Sequence, residues 1–490
     1  MAVAIWLGLF FLLFYIASAR GTMSFGDDAS MLRVARSIAT QASVAVPPDT
    51  PGSMRGIDGR YYSIFNIGQS VLGVPFYLMG AFAKHYSDPH LRDVNPAADP
   101  ITYFACLLGI LSASGAVILL YLTCVELGFC QFAGIFTALA FGTCTFIWYY
   151  AQTFMTEPTS TFFLSLTFYG LLRFTKNSRL VWLLVSGIGL SVAILVRVQN
   201  VVVLPAFALW LTLDLWMPQW RGFKATVATV TAWSLPLLVS FAVIAAYDYL
   251  RLGNAMNTGL YRPGMMSPLF LNPLYMGIYG FLLSPGESIF WYAPILAPAL
   301  YGWRFLWKKY PQITVVLGTL VGIYLLFYSK FIYWWGGGCW GPRYMVQMLP
   351  FLMIGLAALI DYGLGLIGWI VIGTTAALSL FIQLTGVLVS YIPYVAVMAK
   401  RPETFDRYLW VPAYSPVIVQ AKELLQHKYP YDLAYNIYPS EFLFRFQLAA
   451  LLVSLVVFGG GIYLIYEGRV VKHEREPAAA TTLANTNFIK

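Results

Sequence analysis

Long apolar stretches, broken by short polar ones, recur along almost the whole chain. Runs of spanning length cover roughly 2–19, 101–124, 132–148, 158–173, 180–196, 199–215, 226–247, 287–306, 312–330, 344–360, 365–390 and 443–466. The pattern predicts an all-α polytopic membrane protein of about twelve transmembrane helices. A further stretch, 62–83, is interrupted by Asn66, Gln69 and Pro75, and hydropathy alone leaves it open. Charge parity decides. With 62–83 lying along the outer surface and the N-terminus inside, the clusters Arg173/Lys176/Arg179, Arg221/Lys224, Arg304/Lys308/Lys309 and Arg469/Lys472/Arg475 all fall on the cytoplasmic side; counting it as a span puts them all outside.

On this topology two long external loops emerge, 20–100 and 391–441, with shorter ones around 149–157, 248–286 and 331–343. In the first, Met31, Val34, Ala35 and Ile38 recur at helical spacing opposite Arg33, Arg36, Ser37 and Thr40, which predicts a helix lying in the membrane interface. The segment 62–83 is expected to be a second such helix. Residues 1–467 then form one transmembrane domain, and the polar tail 468–490 reads as a disordered cytoplasmic extension. Ala17-Ser18-Ala19 resembles a leader cleavage site, yet no basic residue precedes the apolar run, so a retained first span is expected.

Composition agrees with a bilayer protein. Hydrophobic residues make up 59% of the chain, charged residues 10%, and the mean hydropathy is +0.70. The net charge of +9 is scattered over loop ends without a basic stripe, which argues for topology signals and membrane lipids as its partners and against nucleic acid. Five cysteines and four histidines show neither a disulfide framework nor metal-ligand spacing. Neither a P-loop nor a Gly-x-Ser-x-Gly elbow is present, so an activated substrate is expected to arrive through the bilayer.

In so apolar a chain the placement of charge is informative. Asp27-Asp28 follows the first span directly. These carboxylates suit the start of a helix, and one of them can cap while its neighbour meets a substrate, with Asp27 the candidate base and Asp28 its support. Glu157, just before Pro158, occupies the matching external boundary of the fourth span, as a helix-start residue or as a second acid in the same cavity. Gly336-Gly337-Gly338-Cys339-Trp340-Gly341-Pro342-Arg343-Tyr344 combines permissive glycines with a cation at a helix start. There the helix dipole opposes a cation by roughly 0.3–1 kcal/mol, which a bound phosphate would relieve, the alternative being an arginine that snorkels to lipid headgroups or pairs with a loop carboxylate. Arg60 and Arg197 are further external-side cations. Tyr333, Trp334, Trp335 and Trp340 read first as interfacial anchors and second as a stacking surface for a sugar.

Taken in this order, the motifs resemble the multi-spanning glycosyltransferases of the GT-C fold, similar to the lipid A aminoarabinose transferases and the protein O-mannosyltransferases. The Asp27-Asp28 pair, the aromatic segment Gly59-Arg60-Tyr61-Tyr62-Ser63 through Gly68-Gln69, the acid Glu157 and the element Gly341-Pro342-Arg343-Tyr344 carry the likeness. The resemblance implies a GT-C-like bundle and inverting transfer of a monosaccharide from a polyprenyl-phosphate donor to a glycan, lipid or protein hydroxyl. It implies Asp27, Asp28 and Glu157 as catalytic residues, and Arg343, Arg60 and Arg197 as cations for the donor phosphate. Tyr61, Tyr62, Gln69, Trp340 and Tyr344 would bind substrate. No cofactor is required, no metal ligands are assigned, and a divalent cation is compatible with the acids. The expected location is a bacterial inner membrane with the site on its periplasmic face. A transporter or lipid-linked glycan flippase is the alternative, which would place its ionisable groups near mid-membrane.

Overall fold

Backbone N–H and C=O groups in lipid must be satisfied within the segment, so the apolar runs fold as helices. The computed structural model describes residues 1–23, 26–86, 99–215, 222–258, 269–399, 402–428, 432–434 and 443–463. Among these, six helices are long and apolar enough to cross a bilayer: Pro100–Glu126, Phe223–Leu252, Pro311–Ser329, Arg343–Tyr362, Leu366–Leu388 and Leu443–Tyr463. Several other predicted spans are shorter apolar helices, including α1 (Ala2–Ala17) and Leu180–Val196.

Two expected spans are broken. The run 132–148 divides into Gln131–Cys144 and Ile147–Ala151, because Thr145 turns to the extended conformation and returns its hydroxyl to the Phe141 carbonyl. The run 287–306 becomes a short helix, Ile289–Tyr292, and a longer one, Leu296–Lys309; Pro294 between them has no N–H to continue the ladder.

The first long loop is built around α2 (Gly26–Gln41), three short strands and α3 (Ile67–Tyr86). Strands β1 (Ala45–Val46), β2 (Ser53–Arg55) and β3 (Tyr61–Ser63) form an antiparallel sheet in the order β1-β3-β2, with Tyr62 paired to both Ala45 and Met54. At two or three residues each, these strands are too short to leave an alternating pattern. The expected lipid-facing stripe of α2 is instead covered by protein. Met31 and Ala35 pack with Tyr77 of α3 and with Ala105, Leu108 and Phe154, while Val34 packs with Val46, Ile67 and Tyr247.

The helix α3 does not cross. Its first turn abuts the backbone of Leu195 and Val196 at Gly68, its middle meets Phe154 at Gly73, and Gly80 meets Ile101 at the start of α4 (Pro100–Glu126). Lys84 pairs with Asp99, the N-cap of α4, at 2.8 Å. Both ends of α3 therefore lie toward one end of the bundle.

The elements that carry the site follow. They are α5 (Gln131–Cys144), α6 (Ile147–Ala151), α7 (Thr156–Asn177), α8 (Leu180–Val196), a 3-10 turn Val198–Val203, α9 (Leu204–Leu215), α10 (Phe223–Leu252), α11 (Leu274–Leu283), α12 (Ile289–Tyr292), α13 (Leu296–Lys309) and α14 (Pro311–Ser329). A 3-10 turn Arg343–Met348 leads into α15 (Leu349–Tyr362), followed by α16 (Leu366–Leu388), α17 (Ile392–Ala399), α18 (Pro402–Trp410), α19 (Pro416–Leu425) and α20 (Leu443–Tyr463). Small residues set the closest crossings. A Cβ at Gly302 of α13 would stand 1.9 Å from the Gly355 carbonyl oxygen of α15. The main core extends from Ala4 in α1 to Val457 and Phe458 in α20, and the Trp6 indole donates to the Val457 carbonyl at 2.6 Å.

Charge separates the two ends. Arg173 and Lys176 meet Glu126 at 2.7 and 3.6 Å, and Lys309 meets Asp361 at 3.2 Å. Along α7, Arg173 stands about 24 Å from Glu157 by helical rise, and Asp361 stands about 30 Å from Arg343 along the turn and α15. Arg221, Arg469, Lys472, Arg475 and the tail 468–490 lie outside the described residues.

Candidate active site

Three helix starts and one helix break deliver the charged groups. Asp27 and Asp28 occupy the first turn of α2, where the dipole favours carboxylates. Glu157 occupies the first turn of α7 beside Pro158. Arg197 sits where α8 stops and the backbone turns extended before Val198–Val203. Arg343 opens the 3-10 turn ahead of α15.

These groups, distant in sequence, form one alternating cluster. Arg343 Nη1 reaches Asp27 Oδ2 at 3.1 Å and Arg343 Nε lies 3.9 Å from Glu157 Oε1. Arg197 Nη1 donates to Glu157 Oε1 at 2.6 Å. Glu157 is 1% exposed and the Asp27 side chain 33% exposed, so Asp27 is the carboxylate at the open side. The guanidiniums are held by rings as well: Tyr344 stacks on Tyr328 at 4.2 Å, with Arg343 and Arg197 at 4.9 and 5.0 Å from the Tyr344 ring. The carboxylates supply the negative charge that the cation at this helix start requires. Arg343 is thus paired with a loop carboxylate, the alternative that the sequence left open beside a bound phosphate.

A cavity of about 580 Å³ has this cluster on its wall. Asp27, Glu157, Arg197, Arg343 and Tyr344 line it with Asn66, Thr156, Gln199, Tyr328, Tyr333 and Gly337, and the apolar part of its lining is formed chiefly by Leu269, Phe270, Phe327 and Phe331. Glycine is required in the adjoining turn. Gly336, Gly337 and Gly338 have φ of 81°, 71° and 86°, and Gly337 stands on the cavity with open space where a Cβ would be.

Asp28 is on no part of that wall. It is fully buried and neither carboxylate oxygen has a hydrogen-bond partner of good geometry. Burial pushes its carboxyl well above the usual carboxylate range, the negative charges of Asp27 and Glu157 push the same way, and Arg343 opposes them only in part. Asp28 is therefore held toward its neutral form.

Other residues named from sequence lie elsewhere. Arg60 points outward and pairs with Asp58 at 2.6 Å, because the tight turn at Gly59 brings Asp58 back under it. The hydroxyl of Tyr62 also bonds Asp58, at 2.6 Å, and these two contacts pull the Asp58 carboxyl down to about 2. Tyr61 packs against the Val34 and Val46 cluster, and the Gln69 amide donates to the Phe154 and Met155 carbonyls. Trp340 is fully buried, stacked on Tyr149 at 4.8 Å with its indole N–H on Gln420. The likeness that put these residues at a substrate site is a likeness of chain segments. The strand geometry of β3 turns Tyr61 and Tyr62 away, and their near neighbours Ile64, Phe65 and Asn66 line the cavity instead.

Residues 61–255 match the family described as dolichyl-phosphate-mannose-protein mannosyltransferase. No curated protein matches the chain. Among solved structures, ArnT from Cupriavidus metallidurans bound to undecaprenyl phosphate superposes with a TM-score of 0.50 at 12% identity, covering 92% of this chain and 77% of that one. The chain has the fold of the GT-C membrane glycosyltransferases. The Archaeoglobus fulgidus oligosaccharyltransferase in its apo form is similar more weakly, at a TM-score of 0.42 and 11% identity over 86% of this chain and 55% of that one.

In this GT-C bundle, sequence reasoning missed Asn66, Thr156, Gln199 and Tyr328 on the polar wall and Leu269, Phe270, Phe327 and Phe331 on the apolar one. Polar residues inside otherwise apolar runs were a usable signal for Asn66 and Gln199. Nothing local marks Phe327 or Phe331 among so many aromatic residues. The cluster also bears on metal binding. Among the described residues no group of three or more His, Cys, Asp or Glu side chains is arranged to hold an ion. The two carboxylates on the wall each meet a guanidinium, a donor set that does not fit a divalent cation.

Proposed function

We propose that this GT-C glycosyltransferase moves a monosaccharide from a polyprenyl-phosphate donor to an acceptor hydroxyl, with inversion, on the outer face of a bacterial inner membrane. The observation that carries the reading is the alternating Asp27–Arg343–Glu157–Arg197 cluster on the wall of a cavity that is also lined by aromatic and aliphatic side chains.

The division of labour follows from the geometry. A sugar phosphodiester has a good leaving group, so the protein must supply a base and cations where negative charge develops. Asp27, the exposed carboxylate, takes the proton of the acceptor hydroxyl as its oxygen bonds to the anomeric carbon. The bond from that carbon to the phosphate oxygen breaks, and the electron pair leaves with polyprenyl phosphate. Arg343 and Arg197 face the phosphate. Arg343 Nη2 spends one donor on the Tyr344 hydroxyl, and Arg197 spends only Nη1 on Glu157 and Thr156 among the described residues, so both guanidiniums retain donors. Glu157, the more buried of the two carboxylates, holds the two cations in place. The apolar wall from Leu269 to Phe331 suits the isoprenyl chain. The orientation follows the positive-inside rule, since the basic clusters at Arg173 and Lys309 occupy the other end.

The test is Asp27→Asn. Transfer from a lipid-linked donor in proteoliposomes should fall by roughly 10²–10⁴-fold, the usual worth of a positioned base, with little change in thermal stability. Turnover near the unsubstituted level would remove Asp27 from that role. Mass spectrometry of envelope glycans with and without the gene would identify the sugar and its acceptor.

A further inference from the structure

A second buried acid lies outside the cavity. Glu287 is in the turn between α11 and α12, is fully buried, and has one carboxylate oxygen, Oε2, without any hydrogen-bond partner. Its other oxygen accepts from the hydroxyl of Tyr408 in α18 at 2.6 Å, and Tyr408 is bonded in turn to the Tyr391 hydroxyl at 3.0 Å. The contact is one stitch of a seam. The Gly286 N–H donates to the Leu409 carbonyl at 3.4 Å, and the Ser284 hydroxyl donates to the same carbonyl. Farther along, Trp291 Nε1 donates to Ser415 Oγ at 3.0 Å, which donates to the Pro285 carbonyl at 2.6 Å. A Cβ at Gly286 would stand 2.7 Å from the Tyr408 carbonyl oxygen, so the two segments are in backbone contact.

The seam holds a strap across one shoulder of the cavity. Trp410, at the end of α18, packs on Trp334 at 5.7 Å between ring centres, and Trp334 itself closes on Gly280 of α11. Trp334 stands between Tyr333, which lines the cavity, and the Gly336–Gly338 turn that leads to Arg343. Val395, in α17 just before the strap, touches that turn at Gly338. The strap and the segment before it thus adjoin the glycine turn through Trp334 and Val395.

We propose that Glu287 is a positioning residue, a buried clasp whose bond to Tyr408 holds residues 408–415 on the 284–291 turn and so fixes the shoulder of the cavity. The clasp stands on its own contacts, and its effect on transfer rests on the reading given above.

The surroundings determine what ionisation does. Facing Glu287 are the hydroxyls of Tyr408, Tyr391 and Tyr292 and, farther off, the guanidinium of Arg343. Burial pushes the Glu287 carboxyl well above its ordinary value, with Tyr408 and Arg343 opposing that only in part. Arg343 is already held by Asp27 and Glu157. A charge formed on Glu287 would therefore sit among neutral tyrosines with one oxygen unpartnered, and solvating it requires the strap to lift.

Hydrogen exchange followed by mass spectrometry on the full-length protein in lipid nanodiscs tests this directly. Peptides covering 284–288 and 408–415 are compared from pH 6 to pH 9, after correction for the intrinsic pH dependence of exchange. The unsubstituted protein should lose protection in both peptides as pH rises from the ordinary carboxylate range toward the raised native titration point, by up to about tenfold per pH unit, and level off above it. Glu287→Gln, which keeps an acceptor for Tyr408 and cannot ionise, should keep protection at every pH. Tyr408→Phe should lower protection while leaving a pH dependence in place, because Glu287 stays buried and loses the hydrogen bond that favours its charged form. Equal corrected protection in the unsubstituted protein and Glu287→Gln at each pH, whether sloping or flat, would overturn the clasp. In a transfer assay Glu287→Gln should also flatten the alkaline limb of the rate profile. Loss of protection without any change in that limb would confine the clasp to stability, and transfer absent from the unsubstituted protein would count against the proposed reaction alone.

Discussion

Replacing Glu157 by glutamine isolates the most buried charge of the cluster. The carboxylate is 1% exposed, 2.6 Å from Arg197 and 3.9 Å from Arg343, and the Arg197 side chain is itself only 10% exposed. Removing one partner of a buried pair strands the other and costs about 3–5 kcal/mol. The amide of glutamine can still accept one hydrogen bond from Arg197, worth about 1 kcal/mol net, so a loss of about 2–4 kcal/mol is expected. Arg197→Gln should cost less, because Arg343 remains within reach of Glu157. The double substitution Glu157→Gln/Arg197→Gln should recover part of the loss, giving a coupling energy of about 1.5–3 kcal/mol by the double-mutant cycle. A parallel cycle on Asp27 and Arg343 supplies the control. The Asp27 side chain is 33% exposed, and a pair open to solvent should couple by only about 0.5–1 kcal/mol. Equilibrium unfolding in mixed micelles, followed by tryptophan fluorescence, measures both cycles. A Glu157–Arg197 coupling below that of Asp27–Arg343 would refute the burial argument.

Arg343→Ala should lower transfer by about 10²–10³-fold, as for loss of one donor to developing charge, and Arg343→Lys should recover little, since an ammonium cannot serve Asp27 and Glu157 together; initial rates against donor concentration test both. Asp28→Asn should leave stability unchanged near pH 4 and stabilise the protein increasingly toward pH 8. The raised native value means that Asp28 contributes stability in full below its unfolded value of about 3.9, and loses it as pH rises through the native value by up to about 1.4 kcal/mol per pH unit, whereas asparagine has nothing to lose. Melting curves at several pH values decide this, and a difference independent of pH would count against a neutral Asp28. Gly302→Ala, with a Cβ 1.9 Å from the Gly355 carbonyl oxygen, should destabilise the bundle by about 1–3 kcal/mol, measured in the same micelle assay.

Much of the organisation was legible in the chain. Bilayer physics allows an apolar run few choices, so runs of spanning length became helices, and the sparse charges collected at helix ends because nowhere else could hold them. The parity argument placed α3 among the non-crossing elements, and both its ends do lie toward the end of the bundle that holds Asp27 and Glu157. Helix breaks were less legible. Thr145 and Pro294 divide runs whose mean hydropathy is that of a continuous span, and the division depends on where a hydroxyl or a missing N–H falls relative to neighbouring turns.

Residue types and helix starts could be read in one dimension: acids at Asp27 and Glu157, a cation after Pro342, and the aromatic wealth around them. Partnership could not. Asp27 and Arg343 are 316 positions apart and meet only because α2 folds back over α3 and α4, while adjacent Asp28, one step around the same helix, is sealed away from the cavity. Arg60 looked equivalent to Arg197 in sequence, but a local carboxylate two residues away captured the first and a helix break aimed the second inward. Sequence sets what each position can do chemically and which helices can enter lipid. Three-dimensional packing selects, among several similar charges, the few that share a low-dielectric wall, because that selection depends on contacts between segments hundreds of residues apart.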